Sequence, residues 1–237
     1  MDIVYPYKLS GTGEELRYSL RSLKNLPHDE VWIVGDKPPW VQNVNYIRVP
    51  QNGPSKWANS RKNILTACEH PDISDDFILF NDDFFVMEEI QYVPTLHRGL
   101  ITEVVDNFKR RNVNSKYVAG LVETAEMLRW AGVPDPMYAY NLHIPMVINK
   151  AKMLECFDYL KALSLPHVPY CFHLRSYYGN FWQIGGTQAK DVKISNNRSP
   201  VPPGPFLSTN NSSFRTNRVF QDRLTKKLNK RSIYERG

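Results

Sequence analysis

The sequence predicts an α/β protein in which a mixed sheet is flanked by helices in a single domain. Two observations predict this fold class. Segments rich in β-branched and aromatic residues alternate with segments of helical periodicity through the first third of the chain. The fourth predicted strand, Phe77-Ile78-Leu79-Phe80, is apolar on both faces, which is typical of a strand with helices packed on either side. At 237 residues the chain has the length of one such Rossmann-like domain.

Each element is indicated by its own local pattern. Leu16, Leu20 and Leu23 recur at helical spacing, and Ser55 is a residue type that caps helix N-termini. The predicted strands are residues 2–5, 30–35, 45–49 and 77–80, and the predicted helices are residues 14–26, 55–69, 101–110 and 150–163. Residues 196–205 are predicted to form a proline-rich loop. The main domain is expected at residues 1–216, and residues 217–237 are expected to form a basic tail or a docked helix.

The chain is basic, with 30 Lys and Arg against 24 Asp and Glu, a net charge of +6 and a pI of about 9.1. Much of the excess lies near the C-terminus, at Arg215, Arg218, Arg223, Lys226, Lys227, Lys230, Arg231 and Arg236. Such a patch suits a nucleic acid or another polyanion, but a solvated amphipathic helix carries the same pattern. A ligand with a diphosphate group also requires positive potential. Nucleic-acid binding or modification therefore stays open as one class of function.

Membrane, secreted and disulfide-stabilised proteins are disfavoured. The apolar stretches are far shorter than the roughly 20 residues that cross a bilayer, and the first residues lack a secretory signal pattern. We therefore expect a cytoplasmic protein without a transmembrane segment. Cys68, Cys156 and Cys171 are odd in number and lack the spacing of a zinc or redox motif, which predicts buried, reduced thiols.

Polar residues follow the predicted strands at the point where each strand ends. Because ligands of such sheets bind beyond the carboxyl ends of the strands, Tyr5, Tyr7, Asp36 and the triplet Asn81-Asp82-Asp83 are expected to converge. Carboxylates are the ligands that Mg²⁺ and Mn²⁺ prefer, and such an ion can neutralise a diphosphate. The triplet is therefore a candidate metal and phosphate site, with a polar connecting turn as the alternative.

The helix predicted from Ser55 carries Lys56, Asn59, Arg61 and Asn63 in its first two turns. The free amides and partial positive charge of a helix N-terminus suit phosphate, so these residues are candidate ligands for a phosphate group. The alternative is a solvated helix surface.

His143 and His173 each lie among apolar residues, where a histidine is either a hydrogen-bonded core residue or a catalytic group. The sequence contains no recognisable Ser-His-Asp or Cys-His spacing, and its glycines form no phosphate-binding loop of the Gly-x-x-x-x-Gly-Lys kind. Hydrolase and P-loop functions therefore gain no support.

Several blocks of the chain resemble the Stealth family, the sugar-phosphate transferases of capsule synthesis and lysosomal-enzyme tagging. The first two blocks correspond to Asp2-Ile3-Val4-Tyr5 with residues 15–23 and 31–40, and to Phe77-Ile78-Leu79-Phe80-Asn81-Asp82-Asp83-Phe84-Phe85. His143-Ile144-Pro145 resembles the third block, and His173-Leu174-Arg175 loosely resembles a later segment. Phe206-Leu207-Ser208-Thr209-Asn210-Asn211 is similar to the fourth block but lacks its aspartate.

The Stealth family is itself similar to GT-A glycosyltransferases, so the resemblance implies a GT-A-type sheet and a role for each candidate residue. Asp83, supported by Asp82 or Asn81, would bind Mn²⁺ or Mg²⁺, while Lys56, Asn59 and Arg61 contact phosphate. Tyr5, Tyr7 and Asp36 would line the nucleotide pocket. His143 would act as base or metal ligand, and Asp82 would assist catalysis. Arg175 and His173 would lie at the leaving diphosphate, Arg175 as a catalytic residue and His173 also as a metal ligand.

The resemblance implies a nucleotide-diphosphate sugar as donor and a hydroxyl acceptor on a glycan, a protein or a modified nucleic acid. The missing fourth-block aspartate and the compact length favour a metal-dependent glycosyltransferase. Stealth-type transfer of sugar-1-phosphate from the same donor class is the alternative, and an inactive relative that only binds a nucleotide sugar is a further one.

Overall fold

The computed structural model describes residues 1–113, 115–162 and 171–236. The strands are β1 (Asp2–Tyr7), β2 (Val31–Gly35), β3 (Asn45–Arg48), β4 (Asp76–Leu79), β5 (Phe84–Val86), β6 (Leu96–His97), β7 (Met146–Asn149), β8 (Thr187–Gln188), β9 (Lys193–Ile194) and β10 (Phe206–Thr209). The helices are α1 (Glu14–Ser22), α2 (Lys56–Glu69), α3 (Ile101–Arg110), α4 (Lys116–Trp130), α5 (Lys150–Ala162), α6 (Leu174–Phe181), α7 (Asn211–Thr216) and α8 (Arg218–Leu228). Within these ranges no helix has the length and apolar character to cross a membrane.

A five-stranded mixed sheet forms the centre of the fold, in the order β3-β2-β1-β4-β7. Strands β1 to β4 run parallel, and β7 pairs with β4 in the antiparallel direction. Tyr7 at the end of β1 pairs with Gly35 at the end of β2, and Val4 pairs with Leu79 near the end of β4. The carboxyl ends of the parallel strands therefore lie along one edge, as predicted.

Helices cover both faces of this sheet. Because successive strand residues point to opposite faces, Val4 and Leu79 pack in the core that contains α2, α4 and α5. Ile3 and Ile78 pack in the core that contains α1. The predicted α/β class, a mixed sheet flanked by helices, is confirmed, and the apolar strand β4 is covered on both sides.

Two smaller sheets extend the edge where β4 ends. Strand β5 follows the Asn81-Asp82-Asp83 triplet and pairs with β10, which in turn pairs with β9. Strands β6 and β8 form a separate parallel pair. These sheets bring the second half of the chain against the triplet.

The basic C-terminal segment forms helix α8, and this helix is docked. Phe220 and Leu224 are almost completely buried against Phe85 of β5 and its neighbours. Two of its cations bond to backbone carbonyls, Arg223 to Pro202 and Lys227 to Met87. These two cations therefore help to hold α8 against the rest of the protein.

The cysteines are buried and unbridged, as predicted. Burial raises the pKa of Cys68 and of Cys156 to about 12, so both thiols stay protonated at neutral pH. Helices α4 and α6 and strand β7 have no counterpart in the sequence-based prediction. The predicted helix 14–26 ends as an α-helix at Ser22 and continues as a 3₁₀ turn, Leu23–Asn25. The predicted helix 150–163 is α5, and its last residue, Leu163, lies outside the described residues.

Candidate functional site

A cavity of about 600 Å³ opens at the carboxyl ends of β1 and β4. Its walls come from the triplet after β4, the first two turns of α2, the segment before β7 and the start of α6. A smaller cavity of about 260 Å³ adjoins it and shares Glu15, Asp82 and Asn211 as lining residues. The strand-end location matches the place where open α/β sheets bind ligands.

Three carboxylates, Glu15, Asp82 and Asp83, form an acidic group on the cavity lining. Burial, together with the charges of Asp83 and Glu15, raises the pKa of Asp82 to about 7. Burial and the charge of Asp83 also raise the pKa of Glu15, whose Oε1 atom is buried without a hydrogen-bond partner among the described residues. Asp83 accepts hydrogen bonds at Oδ2 from Lys193 Nζ (3.1 Å) and Ser208 Oγ (3.2 Å). The group thus carries excess negative charge that one lysine offsets.

The oxygen atoms of this acidic group are of the kind that binds a divalent cation. Asp82, Asp83 and Glu15 supply hard oxygen ligands, the kind that Mg²⁺ and Mn²⁺ prefer. In the described ranges, no three His, Cys, Asp or Glu side chains are arranged to hold a metal ion by themselves. An ion bound here would complete its coordination with substrate oxygens.

Positively charged side chains also line the cavity. Lys56 and Arg61 project from the first turns of α2, whose N-terminus is capped by Ser55 accepting a hydrogen bond from the Ala58 amide (3.1 Å). Lys116 reaches the same wall from the start of α4. Lysines and an arginine beside a helix N-terminus create positive potential suited to phosphate. Lys56 and Arg61 both line the cavity, and their role as phosphate ligands stays a prediction.

His143 lies on the cavity wall with 28% of its side chain exposed. Its Nδ1 atom lies 2.8 Å from Asp191 Oδ2, and its backbone amide donates to Asp191 Oδ1 (3.0 Å). Arg98 donates to the same carboxylate, and also to the Tyr117 hydroxyl (2.7 Å). Although burial opposes ionisation, the hydrogen bonds and charges of His143 and Arg98 hold the pKa of Asp191 well below its usual range.

His173 and Arg175 line the same cavity. Both ring nitrogens of His173 and the two terminal nitrogens of Arg175 have partners within the protein, whereas Arg175 Nε is buried without a hydrogen-bond partner among the described residues. His173 Nε2 bonds to the Tyr117 carbonyl (3.0 Å), and its Nδ1 lies 3.3 Å from Asn141 Nδ2. Burial lowers the pKa of His173, so the ring is neutral. The predicted role of His173 as a metal ligand is wrong for this structure, because neither ring nitrogen is free.

Arg175 holds the segment that carries His143. Its terminal nitrogens donate to the carbonyls of Leu142 (3.0 Å) and Ile144 (2.5 Å), the two residues that flank the histidine. Burial lowers the pKa of Arg175 to about 10, which leaves the guanidinium charged at neutral pH. The predicted direct contact with a leaving diphosphate is therefore replaced by a positioning role.

Four other predicted ligands need correction or refinement. Tyr5 is fully buried, and its hydroxyl pairs with Ser19 Oγ (2.8 Å), so it lines neither cavity. Asp36 accepts a hydrogen bond from the Leu9 amide (3.0 Å) and also lies outside both cavities. Asn59 borders the main cavity, but its side chain orders the preceding loop by accepting from the Gly53 amide (2.7 Å). Tyr7 lines the smaller cavity.

The triplet itself is placed as predicted, since Asn81, Asp82 and Asp83 all line the main cavity directly after β4. Sequence reasoning missed Glu15, Lys116, Asp191 and Lys193. Glu15 lies in the first turn of α1, and Lys116 begins α4. The helical pattern of residues 14–26 already places Glu15 at a helix start. Asp191 and Lys193 lie in a loop and a two-residue strand, which carry no periodic signal.

Comparison with known proteins gives distant similarities to glycosyltransferase structures. A structure of an active-site mutant of LgtC and one of the galactosyltransferase LgtC with donor and acceptor sugar analogues each align over 98% of this chain and 98% of their own. Both are 12% identical, with TM-scores of 0.49 and 0.46. The apo structure of WbbM, a bifunctional glycosyltransferase, aligns over 95% of this chain at 12% identity with a TM-score of 0.48, and this chain spans 44% of it.

No protein-family model matches the chain, and the curated proteins include no match. The resemblance to the Stealth family is therefore not confirmed. The structural similarities are too distant to carry an argument about chemistry, so the functional argument rests on the cavity.

Proposed function

We propose that this chain is a metal-dependent glycosyltransferase that moves a sugar from a nucleotide-diphosphate donor to an acceptor hydroxyl. The observation that carries the proposal is that the strand-end cavity is lined by both carboxylates and cations. Glu15, Asp82 and Asp83 form the acidic group. Lys56 and Lys116 both lie over the Trp57 ring, and Arg61 is also on the lining. A nucleotide-diphosphate sugar needs cations for its phosphates, and a metal ion bound at carboxylates bridges the protein to that diphosphate.

In this proposal the diphosphate lies against Lys56, Arg61 and Lys116, which stabilise the negative charge that develops as it leaves. A divalent cation, Mn²⁺ or Mg²⁺, held by Asp82 and Asp83 would neutralise further phosphate charge. Asn81 lies beside them on the cavity wall and supports the same end of the ligand.

His143 is the proposed general base. The acceptor hydroxyl gives its proton to His143 Nε2 as its oxygen forms a bond to the anomeric carbon. The bond from that carbon to the diphosphate oxygen breaks, and its electron pair leaves on the nucleoside diphosphate. A histidine suits this task because its ordinary pKa lies near neutral pH.

Transfer of sugar-1-phosphate remains the alternative for the same donor class, because the same cavity would bind the same diphosphate. Nucleic-acid binding as the main function is less well supported. Two cations of the basic helix α8 are bonded to backbone carbonyls, and its apolar side is buried. The proposed acceptor is a hydroxyl group on a glycan, a protein or a modified nucleic acid.

The decisive experiment incubates the protein with a panel of nucleotide sugars and Mn²⁺ and identifies the released nucleotide. Release of a nucleoside diphosphate that depends on both Mn²⁺ and Asp83 supports glycosyl transfer. Release of a nucleoside monophosphate would reassign the chain to sugar-1-phosphate transfer. Absence of metal-dependent turnover and of binding across the panel would reject both.

A further inference from the structure

Two short parallel strands bring a second layer of residues to the cavity. Strand β6 pairs in parallel with β8, with His97 opposite Gln188. Arg98 and Asp191, which follow these strands, therefore leave the pair at the same end and form an ion pair there. Although 93 positions separate the two residues in the chain, Arg98 donates a hydrogen bond to Asp191. Asp191 in turn contacts the His143 ring.

We infer that Asp191 is the positioning residue that holds His143 in the tautomer and orientation needed to accept a proton from the acceptor. This inference rests on the proposed function, since it assigns a partner to the proposed base. Asp191 itself has no role in contacting substrate.

The tautomer follows from the hydrogen bonds. An ionised carboxylate only accepts, so the short contact between His143 Nδ1 and Asp191 Oδ2 (2.8 Å) requires a proton on Nδ1. A neutral ring then carries its lone pair on Nε2. Among the described residues none hydrogen-bonds to Nε2, and the ring lines the cavity. The basic nitrogen is thus the one left for a ligand.

The orientation is fixed from both sides of the residue. Asp191 Oδ1 accepts from the backbone amides of His143 and Val192, both at 3.0 Å, so the carboxylate is anchored to the backbone of the segment it orients. Arg175 holds the carbonyls on either side of His143. Arg98 supplies the remaining partner of the carboxylate. A residue held this firmly loses little entropy on reaching a reactive geometry.

The substitution Asp191→Asn has a specific expected consequence. The two backbone amides at Oδ1 require an acceptor, so the single carbonyl oxygen of Asn stays there. Its NH₂ group then replaces Oδ2 and donates to His143 Nδ1, while Arg98 loses this partner and keeps its bond to the Tyr117 hydroxyl. This stabilises the opposite tautomer, with the proton on Nε2, which leaves no lone pair for the acceptor proton.

The first test is spectroscopic and needs no substrate. Long-range ¹H–¹⁵N correlation spectra of histidine-labelled protein, with the His143→Gln spectrum assigning the signal, distinguish the two tautomers. We expect a protonated Nδ1 in the wild type and in Asp158→Asn, a control that removes an exposed carboxylate paired with Lys161. Asp191→Asn should shift the proton to Nε2. A wild-type His143 protonated on Nε2 would overturn the inference, even if the variant did not fold.

The second test is kinetic. With a donor that the wild type turns over, Asp191→Asn should lower kcat by about 100-fold or more, the usual range for loss of general-base catalysis, with little change in donor KM. Asp191→Glu, which keeps the acceptor-only group, should restore part of kcat. Equal kcat in Asp191→Asn and wild type would reject the inference. A wild type without donor turnover would reject the proposed function, and the spectra would still decide the position of the proton.

Discussion

Lys193 Nζ lies 3.1 Å from Asp83 Oδ2, so a cation from strand β9 is held against the acidic triplet that follows β4. The two residues are 110 positions apart, and the contact joins the second half of the chain to the edge of the central sheet. One lysine among three carboxylates leaves the group with net negative charge. A divalent cation held there would neutralise this negative charge and would in turn attract a diphosphate.

Removal of one carboxylate from this group should abolish most donor turnover. We expect Asp83→Asn and Asp82→Asn to lower nucleoside diphosphate release about 100-fold or more at saturating Mn²⁺, because each removes charge that orders the metal and diphosphate. Chelation of metal should have a similar effect on the wild type. The control is Asp158→Asn, whose carboxylate is exposed on α5 and should leave the rate unchanged. Full activity in Asp83→Asn would contradict the metal site.

Lys116 should contribute to donor affinity through the phosphates. Lys116→Ala is expected to raise donor KM about tenfold, equivalent to about 1.4 kcal/mol, with a smaller change in kcat. The difference should shrink as ionic strength rises, because salt screens partly exposed charges. Steady-state kinetics at several salt concentrations provide the measurement. Lys161→Ala, which removes an exposed lysine distant in sequence from the cavity residues, is the matched control. Equal KM values for both variants would exclude Lys116 from donor binding.

Glu235 should make stability depend on pH in the acid range. Burial opposes its ionisation, but hydrogen bonds from Arg21, the Ser232 amide and Arg17 lower the pKa of Glu235 from 4.5 to about 2. The folded-state pKa is below the unfolded one, so this contribution is fully present above about pH 4.5 and is lost as the pH falls towards 2.

The test compares Glu235→Gln with the wild type by denaturant unfolding. At pH 7 the variant should lose about 2 kcal/mol, since it removes a charged acceptor from two arginines. The difference should narrow between pH 4.5 and 2. Glu14→Gln removes the exposed partner of Arg17 and should change stability by less than about 0.5 kcal/mol. A constant difference across the pH range would show that the ion pairs are not its source.

Gly120 in α4 should resist replacement by alanine. An added Cβ would overlap the carbonyl of Cys171 and approach His173 Nε2 to 3.0 Å. Alanine normally stabilises a helix by about 1 kcal/mol relative to glycine, but overpacking costs about 1–3 kcal/mol. We therefore expect Gly120→Ala to lower the thermal midpoint, measured by calorimetry. Val122→Ala, at an exposed position of the same helix, is the control. A stabilised Gly120→Ala would mean that the Cys171 segment can move away.

Variants of the exposed cations of α8 distinguish the transferase function from nucleic-acid binding. Reversal of charge at Arg218 and Lys226, both exposed, should leave donor turnover unchanged, because neither residue lines the cavities. If polyanion binding were the main function, the same double variant would weaken oligonucleotide binding and reduce its salt dependence. Gel-shift titration at two salt concentrations, beside the turnover assay, provides both readings.

The main features of the sheet could be predicted because they depend on local pattern. The alternation of strands and helices, the cap at Ser55 and the apolar strand before Asn81 are all visible within a few neighbouring residues. Helix α4 escaped prediction because seven of its residues are buried on several sides, which weakens the amphipathic signal. Tyr5 was misplaced because β1 continues to Tyr7, two residues beyond the predicted end of the strand. Tyr5 therefore lies inside the strand, and its side chain packs in the α1 core.

The sequence by itself determined that carboxylates follow the apolar strand β4 and that cations lie in the first turns of the preceding helix, α2, because both are properties of contiguous segments. Only the tertiary structure decided which side chains remain available for a ligand. His173 and Asn59 lie at the cavity but use their polar groups on the backbone and on neighbouring side chains, and Arg175 uses its two terminal nitrogens on carbonyls, whereas His143 keeps Nε2 for the cavity. The pairings of His173, Arg175 and His143 join groups that are 31 or more residues apart in the chain, 48 for His143 and Asp191, and no local pattern records them.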